Sequence, residues 1–484
     1  YVSTWHDACE EVRELALAYD QVFAGLKDDA ELVRFLSAQA KRYGLENPKA
    51  SWNDIQRNIE GRLFEDTLKN RVKIESNYPR TDIALAVIHM VLGTAEHRRT
   101  AGGIIDALID KATAVDGVTG EKGLAGYGKI GPTSVAALLG QIMMVDDQWF
   151  LEVFNRHPRL HACYRFHVDT WCLGRYYPTC GDAGSFAARK ETYAGVEFAK
   201  PRDRLPTSFA GGPLTPSMYT FMYRMFKLTG DPAFAQVTYL ANGRSVEGLP
   251  HDLFVSDPEP IQREIAAVIE REGAEPKLGS VNKQQWHLAI LRSGEGEHAR
   301  AVWLDYDSSG NHRHQDGLNL GLYAYGLDLM RDFGYPPVQF GGWNSARSVW
   351  YMSTAALNTV VVDGKNQDRD GEGRTELWAD GETFRAVKAS LPGAYKIAAY
   401  ERTVASVDVS ERDFYVADVF RVVGGKEHAK FTGSHLSTHT GGGRSCAAFG
   451  SIRGRRRGGA WISRWRIGTG TWTGRRTSTC GTRT

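Results

Sequence analysis

The spacing of apolar residues changes about halfway along the chain, and this change constrains the fold more than any other feature. From Trp5 to about Leu249, apolar residues recur at intervals of three and four, which is typical of amphipathic helices. Clear examples are Glu10–Phe23, Asp29–Tyr43 and Asp54–Lys73. Beyond residue 284, short segments with alternating apolar residues are separated by glycine-containing turns. The sequence therefore predicts a helical N-terminal domain followed by an antiparallel β-sandwich.

The boundaries between these parts follow from turn signals and composition. A Pro-rich turn precedes the predicted helix Ile261–Glu272, and Gly273 and Pro276 follow it. We therefore predict a helical domain at residues 1–255, a connector helix and linker at 256–284, and a sandwich at 285–440. Residues 441–484 hold ten Arg and no Lys, Asp or Glu, in a Gly-, Ser- and Thr-rich mixture. This composition indicates a disordered basic tail or a gene read out of frame.

Composition and charge exclude several classes of protein. The formal net charge is +2, but without the ten tail arginines 49 basic residues face 57 acidic ones, a charge of −8. An acidic body does not offer the long basic surface that binds nucleic acid, so we expect no nucleic-acid partner. We also expect no membrane span, because no run of about eighteen apolar residues occurs. The six cysteines lack C-x-x-C spacing, which favours free thiols over a zinc ribbon or a disulfide framework.

The segment Asn311-His312-Arg313-His314-Gln315-Asp316-Gly317 is the strongest candidate for a functional site. It precedes the alternating run Leu318–Tyr325, which predicts a half-buried strand. Two histidines two residues apart on an extended segment point to the same face, so both imidazoles can reach one shared site. From this motif alone, a surface-exposed or hydrogen-bonded histidine pair is an equally good interpretation.

Three motifs in the second half of the chain resemble a known family. His312, His314 and Asp316 match a His-x-His-x-Asp strand entrance, and Asp332-Phe333-Gly334-Tyr335 matches an Asp-x-Gly-Tyr turn. The strand 357–364 is similar to a His-Asn-Thr-Val-x-Val-Asp-Gly pattern, with Leu357 in the place of the histidine. Together these motifs resemble the heparinase II/III-like polysaccharide lyases. The helical spacing alone fits a bundle, a solenoid or an (α/α) toroid, and the resemblance implies an incomplete toroid followed by the β-sandwich.

The resemblance implies cleavage of a uronic-acid polysaccharide by β-elimination, with Asn77, Tyr127 and His312 as catalytic residues. Asn77 lies in a predicted loop just before the apolar run Ile83–Leu92, where an asparagine more often caps the helix. Tyr127 follows the Asp116–Glu121 loop, where a tyrosine is ordinarily a packed loop residue. In the family, the asparagine faces the substrate carboxylate, while the tyrosine and the histidine transfer protons.

We expect further residues to contact the substrate. A polar cluster at 161–182 combines cations with aromatic rings, which suits pairing with carboxylates and stacking on sugars. Helical spacing places His161 and Arg165 on one face, although an ordinary polar helix face would look similar. The predicted substrate-binding residues are Glu121, His161, Arg165, His167, Tyr176 and Arg313.

The resemblance also implies a metal site in the sandwich. His314 and Asp332 match two ligands of zinc or another divalent metal, and Leu357 replaces the third. Because two ligands hold zinc poorly, such a site would be weak or would need another ligand.

The implied partner is an acidic polysaccharide, and the implied location is secreted or periplasmic. Two alternatives remain open at this point: a glycoside hydrolase that pairs Glu121 with Asp116 or Asp182, and a non-catalytic carbohydrate-binding protein. The sequence does not distinguish heparan-type glycosaminoglycans, alginate, glucuronan, ulvan and bacterial exopolysaccharides as the substrate. The acidic body disfavours densely sulfated heparin, which needs a strongly basic groove.

Overall fold

The N-terminal half is helical in the structure, a computed structural model that describes residues 5–27, 29–46, 49–184, 188–199, 216–330, 332–369 and 371–433, with strand segments at 455–456 and 459–467. Its α-helices are α1 Trp5–Leu26, α2 Ala30–Arg42, α3 Trp52–Ile59, α4 Asp66–Lys69, α5 Arg80–Leu92, α6 Ala95–Ala112, α7 Ile130–Val145, α8 Asp147–Arg156, α9 Arg159–Asp169, α10 Met218–Thr229, α11 Pro232–Ala241 and α12 Glu259–Glu272. The predicted helix Asp54–Lys73 thus covers α3, α4 and a π-helical turn between them.

Two helices form the centre of this half. Helix α5 buries Ile83 through Ile88, and α7 buries every residue from Gly131 to Ile142. A helix that is apolar on all sides must be surrounded by others, whereas α2, α3 and α8 are amphipathic and bury only one face. The core therefore lies around α5 and α7, with the amphipathic helices outside.

Helix α12 belongs to the helical half and is more than a connector. Its residues Ile261, Ile265 and Val268 are buried in one cluster with Tyr219 of α10 and Ala235 of α11. These three apolar residues recur at helical spacing, so they form one stripe that packs against the two preceding helices. The helical packing thus extends to residue 272, and the first strand begins at Val281.

Antiparallel sheets form the second half. The strands are β1 Val281–Lys283, β2 Leu288–Ser293, β3 Arg300–Asp305, β4 Asn319–Ala324, β5 Leu327–Asp328, β6 Val360–Val362, β7 Arg374–Asp380, β8 Phe384–Ser390, β9 Ala399–Asp408, β10 Phe414–Val423, β11 His428–Lys430, β12 Arg455–Arg456 and β13 Gly459–Ile467. One sheet has the order β1-β2-β3-β4-β5, a second β13-β10-β9-β8-β7, and a third β12-β11-β6. A short helix, α13 Ala346–Tyr351, lies between β5 and β6.

The first sheet is buried on both faces. Leu320 and Leu322 of β4 point into the sandwich core, where they join residues such as Val404 and Phe420 of the second sheet. On the opposite face, Tyr323 packs in the core of the helical half. The prediction that the strand at 318–325 is half-buried is therefore wrong. Helices cover the face of the strand that the alternating pattern predicted to be exposed to solvent.

The segment 459–467 corrects the expected disorder of the C-terminal tail. Strand β13 pairs with β10 over nine residues, from Phe414 opposite Ile467 to Val422 opposite Gly459. Without β13, the backbone of β10 would form an unpaired sheet edge, and such edges are avoided in stable proteins. In the register of this pairing, the backbone of Trp461 lies opposite Phe420 and that of Trp465 lies opposite Val416. The biased composition of the segment concealed this strand at the sequence level.

A buried ion cluster joins the two halves. The Nζ atom of Lys122, from the loop before α7, lies 3.0 Å from Asp305 Oδ1 and 2.6 Å from Asp307 Oδ1. All three side chains are almost completely buried. Burial alone would lower the pKa of Lys122, but the charges of Asp305 and Asp307 raise it. The cluster therefore fixes the loop 116–128 against strand β3.

The state of the cysteines and the lack of a membrane-spanning helix were also predicted from sequence. Cys9, Cys163, Cys172 and Cys180 are free and buried, as predicted, whereas Cys446 and Cys480 lie outside the described residues. Within the described ranges, no helix is long and apolar enough to cross a membrane.

Candidate active site

Three loops meet where the helical half contacts the first sheet. Backbone hydrogen bonds join Lys122 N to Asn311 O at 2.9 Å, Gly123 N to Cys180 O at 2.7 Å, and Asp182 N to His312 O at 2.9 Å. Gly181 has φ +66°, and a Cβ there would lie 2.3 Å from the carbonyl oxygen of His312. A glycine is thus required at 181 for the loop that carries Asp182 to approach His312 this closely.

Tyr127 and His312 form a stacked pair at this junction. Their ring centroids lie 3.5 Å apart with an interplanar angle of 10°. The Tyr127 hydroxyl lies 3.4 Å from the Tyr335 hydroxyl, so a third aromatic residue closes the group. Burial raises the pKa of Tyr127, and the Tyr335 hydrogen bond and the charges of Asp182 and Glu121 raise it further. The phenol of Tyr127 is therefore protonated at neutral pH.

The His-x-His segment brings both imidazoles to one site, but not through an extended strand. His312 lies in a turn with φ +55°, a left-handed conformation that is uncommon for a residue with a side chain. The Oδ2 atom of Asp182 lies 2.9 Å from His312 Nδ1, and its Oδ1 atom lies 3.0 Å from His314 Nε2. The shared site is thus the carboxylate of Asp182, which is nearly buried between the two rings.

Glu121 stands on the other side of His312. Its Oε1 atom lies 3.4 Å from His312 Nε2, and the His312 side chain is 30% exposed. Burial raises the pKa of Glu121, while the charges of His312 and Lys111 partly offset this effect. Each ring nitrogen of His312 therefore faces one carboxyl group, Nδ1 that of Asp182 and Nε2 that of Glu121.

Asn77 lies in the loop before α5, as predicted, and its side chain is exposed. It does not act as the N-cap, because Pro79 holds that position without a side-chain hydrogen bond. The neighbouring Tyr78 donates to Leu108 O, and its pKa is raised by burial and by charges that include Glu121. Asn77 thus adjoins Tyr78, whose pKa is affected by the charge of Glu121.

The other predicted substrate residues divide into two groups. Glu121 and Arg313 flank His312, and Arg313 Nη1 donates to Gly310 O at 2.5 Å. His161 and Arg165 lie on α9, where both contact the carboxylate of Asp231 at 3.0 Å. Ion pairs between helices α9 and α11 therefore account for these two side chains.

His167 and Tyr176 are packed inside the protein and do not line an open groove. His167 is 0% exposed, and its Nε2 atom lies 2.9 Å from Leu124 O. Burial lowers its pKa to about 4. Tyr176 is buried, stacks on Tyr323 with centroids 4.7 Å apart, and donates to Gly326 O. A polysaccharide cannot contact these side chains without displacing the packing between the two halves.

The predicted metal ligands do not form a complete site. Asp332 accepts hydrogen bonds from Asn319 Nδ2 at 2.7 Å and from Gly334 N at 2.9 Å. His314 is fully buried and directs Nε2 at Asp182, while Leu357 is buried. Among the described residues, no three His, Cys, Asp or Glu side chains are placed to hold a metal ion. The residues present thus do not fit a three-ligand zinc site, and bound metal stays a prediction.

Two members of the site were missed by the sequence reasoning. Asp182 was considered as a hydrolase carboxylate and as a member of the polar cluster at 161–182, and Tyr335 only as part of a turn motif. Asp182 lies between Gly181 and Gly184, both with positive φ, which marks a loop built for close approach. Tyr335 ends the Asp-Phe-Gly-Tyr motif. A polar or aromatic residue beside such glycines is the signal that could have identified them.

A separate cavity of about 540 Å³ lies elsewhere between the two halves. Trp171, Arg175, Arg244 and Tyr325 contribute to its lining. In the described part of the chain, neither Tyr127 nor His312 lines this cavity. We therefore place the candidate site at the stacked pair because of its chemistry, and not because of cavity size.

Comparison with known proteins supports the fold. Solved structures of a heparinase III gene product and of the heparan sulfate lyase HepC from Pedobacter heparinus each superpose with a TM-score of 0.51. The identities are 14% and 13%, over 89% and 88% of this chain and 56% and 60% of theirs. The chain thus spans less than two thirds of these relatives. No curated protein matches the sequence.

The family resemblance rests on the second half of the chain. Residues 277–468 match the family described as heparinase II/III-like, C-terminal. The match includes strand β13, in agreement with its pairing in the second sheet. With the superposed structures, it confirms the fold class, an incomplete (α/α) toroid followed by an antiparallel β-sandwich. Residues 277–468 are thus similar to the heparinase II/III-like C-terminal domain, as the sequence motifs indicated.

Proposed function

We propose that this chain is a polysaccharide lyase that cleaves uronic-acid-containing polysaccharide by β-elimination and leaves a 4,5-unsaturated uronate end. The observation that carries the proposal is the stacking of Tyr127 on His312, with centroids 3.5 Å apart at the junction of the two halves. An elimination needs a base for the C5 proton and an acid for the O4 leaving group, each within about 3 Å of its target. This pair supplies two such groups side by side.

His312 is the proposed base. Asp182 Oδ2 lies 2.9 Å from Nδ1, and in the proposed mechanism this contact holds the proton of the neutral ring on Nδ1. Nε2, which faces Glu121 Oε1 at 3.4 Å, is then the nitrogen that would accept the C5 proton. Asp182 orients the ring in the way that a buried carboxylate orients a catalytic histidine in other enzymes.

Tyr127 is the proposed acid. Its raised pKa keeps the phenol protonated, which suits donation of a proton to the departing O4 oxygen. For Tyr127 to act as the base instead, nearby cations would have to lower its pKa. The groups around it are carboxylates and Tyr335, which have the opposite effect, so the acid role is favoured.

A neutral donor must offset the negative charge of the uronate carboxylate, because abstraction of the C5 proton builds further charge beside it. The exposed amide of Asn77 is the proposed donor. By analogy with other donors to developing oxyanions, its contribution would be roughly 3 kcal/mol. Glu121 and Arg313, which flank His312, are the proposed contacts for the neighbouring sugar hydroxyl and carboxylate groups.

The geometry favours the lyase over the hydrolase. Asp116 accepts from the backbone nitrogens of Gln285 at 2.7 Å and Trp286 at 2.9 Å, so it serves to link the two halves. Asp182 is held between His312 and His314. Neither of these two carboxylates is therefore free to pair with Glu121, as a glycoside hydrolase would require.

The proposed substrate is an acidic polysaccharide, and a secreted or periplasmic location follows from the size of such a polymer. The two superposed relatives are named for heparinase III and for heparan sulfate lyase activity. Their low identity leaves the uronate polymer open for this chain. Proposed substrates therefore include unsulfated polymers such as alginate and glucuronan as well as glycosaminoglycans.

Ultraviolet absorbance of the unsaturated uronate, recorded against a panel of uronate polymers, tests this function. We expect absorbance to rise with one class of polymer and turnover to be abolished in Tyr127→Phe, which still folds and binds polymer. Tyr43→Phe, at an exposed position after α2, is the matched control. New reducing ends without absorbance would indicate a hydrolase, and Tyr127→Phe activity within about tenfold of the parent would remove Tyr127 from the catalytic set.

A further inference from the structure

A group of exposed aromatic residues lies beside the candidate site. Phe340 is 68% exposed, Trp343 is 44% exposed and Trp350 is 45% exposed. All three belong to residues 335–352, which we call the aromatic segment. Large aromatic side chains left in water over a short stretch mark a binding surface more often than isolated exposed residues do.

The aromatic segment is continuous with the catalytic pair. The Tyr335 ring lies 6.1 Å from the Tyr127 ring at an interplanar angle of 26°, and the Trp343 ring lies 5.7 Å from Tyr335 at 62°. A row of rings thus runs from His312 through Tyr127 and Tyr335 to Trp343. A polymer that places one sugar at Tyr127 would carry its next sugars along this row.

Both ends of the aromatic segment are fixed to the loops of the site. Tyr335 N donates to Gly184 O at 2.8 Å, two residues after Asp182. Gln315 N, one residue after His314, donates to Met352 O at 3.0 Å. The rings therefore have a set position relative to His312, which is a requirement for a subsite that aligns a polymer with the catalytic groups.

The charge of the segment indicates which polymer it suits. Arg347 is the only charged residue in 335–352. Sulfate groups need clustered Lys and Arg, whereas the C–H faces of a sugar ring pack on aromatic faces. The segment thus favours sugars that carry few sulfate groups.

We propose that Tyr335 and Trp343 form a sugar-stacking surface that binds a sparsely sulfated or unsulfated uronate polymer next to the bond that is cleaved. This inference rests on the proposed function for its choice of occupant. Trp343 is the central residue, because it combines exposure with contact to Tyr335. Its loss should weaken binding of the polymer and leave the proton-transfer groups in place.

Affinity electrophoresis in gels that contain alginate, glucuronan or heparin measures this binding. The full chain with Tyr127→Phe serves as the parent, so that the polymer stays intact during the run. In that background we expect Trp343→Ala to bind the unsulfated polymer at least about fivefold more weakly, since a buried aromatic anchor commonly contributes more than about 1 kcal/mol to binding. Trp343→Phe should restore most of the affinity, and Phe35→Ala, on the exposed face of α2, should not change it.

The possible outcomes separate the surface from the lyase activity. Unchanged polymer affinity in Trp343→Ala would overturn the surface, even if the unsubstituted chain still produced unsaturated ends. Stronger dependence on Trp343 for heparin than for unsulfated polymers would overturn the assigned substrate class. A sedimentation change in Trp343→Ala with no change in polymer affinity would assign the rings to a second copy of the chain and overturn the proposal. Polymer binding that depends on Trp343, without any elimination product from the unsubstituted chain, would support the proposed stacking surface. The same result would refute the lyase function.

Discussion

Lys122 Nζ lies 2.6 Å from Asp307 Oδ1, and this bond joins a loop of the helical half to the end of strand β3. The charge of Lys122 lowers the pKa of Asp307 to about 2 against the opposing effect of burial, whereas burial keeps the pKa of Asp305 well above its usual value. Lys122 is therefore the cation that these two buried carboxyl groups share. The adjacent Glu121 and the nearby Tyr127 are positioned by the same loop.

Lys122→Met is expected to destabilise the chain, because it leaves a buried carboxylate without its cation. The expected loss is about 3–5 kcal/mol in the free energy of unfolding, measured by urea denaturation. Lys396→Met is the control, since the Lys396–Asp368 pair is exposed and should change stability by less than about 0.5 kcal/mol. Equal effects of the two substitutions would show that Lys122 does not anchor the two halves.

His312→Ala is expected to reduce turnover by about 10²–10⁴-fold with little change in melting temperature, because a partly exposed ring contributes little core packing. Steady-state turnover of the responsive polymer and thermal unfolding measure the two effects. His89→Ala, near the far end of α5, is the control and should retain activity. A large loss of stability with His312→Ala would mean that the histidine is structural, and the site would have to be redrawn inside the helical half.

The metal prediction concerns Leu357. We expect the unsubstituted chain to lose zinc on dialysis, because His314 and Asp332 offer two ligands where structural zinc usually has four. Leu357→His should retain more zinc, and Leu357→Asn, which is polar but a poor ligand, should not. Elemental analysis that finds one tightly held zinc in the unsubstituted chain would contradict this expectation.

His167 makes stability depend on pH. Its pKa falls from the ordinary 6.5 to about 4 in the fold, because burial disfavours the charged ring. Above pH 6.5 both states are neutral, so its contribution is fully present there. As the pH falls from 6.5 towards 4, the unfolded chain binds a proton and the fold does not, so stability is lost.

Urea unfolding at about pH 7.5 and at about pH 5 measures this loss, which should be on the order of 2 kcal/mol for this one group. His167→Gln keeps a hydrogen-bond donor for Leu124 O and removes the titration. We therefore expect a smaller difference between the two pH values in this variant. The same difference in both proteins would show that His167 is already protonated in the fold or exposed to water.

Arg402 holds a second buried charge group. Its guanidinium donates to both carboxylate oxygens of Asp418 at 2.8 and 2.9 Å, and Lys430 also contacts Asp418. Arg402→Met should lower the free energy of unfolding by about 3–5 kcal/mol in denaturant titrations. Arg421→Met removes an exposed pair with Glu401 on the same strands and should cost less than about 1 kcal/mol. A small effect at Arg402 would indicate that water enters this part of the sandwich.

Local patterns predicted the elements that depend on near neighbours. The apolar run before Leu92 gave the buried helix α5, and the alternation around Leu320 and Leu322 gave β4 with its inward face correct. The loop position of Asn77 also follows from local proline signals, whereas Tyr127 begins a short 3-10 helix, Tyr127–Lys129, that leads into α7. In each case the residues within one or two turns determine the backbone conformation.

Features that depend on distant parts of the chain were not predictable in the same way. Helices cover the outer face of β4, and no residue in β4 itself signals this cover. The turn at His312 follows from the approach of residues 180–182, which lie far away in sequence. Strand β13 depends on an open edge of β10, which outweighs the biased composition of its own segment.

The double burial of the first sheet limits how freely this architecture can be recombined. Leu288, Ile290, Trp303 and Tyr323 form a face that fits one particular set of helices. A sandwich transplanted onto an unrelated helical domain would expose these side chains, and exposed apolar surface of that kind promotes aggregation. Changes of N-terminal partner would therefore require coordinated substitutions on both sides of the contact, so the two halves are expected to diverge as a pair.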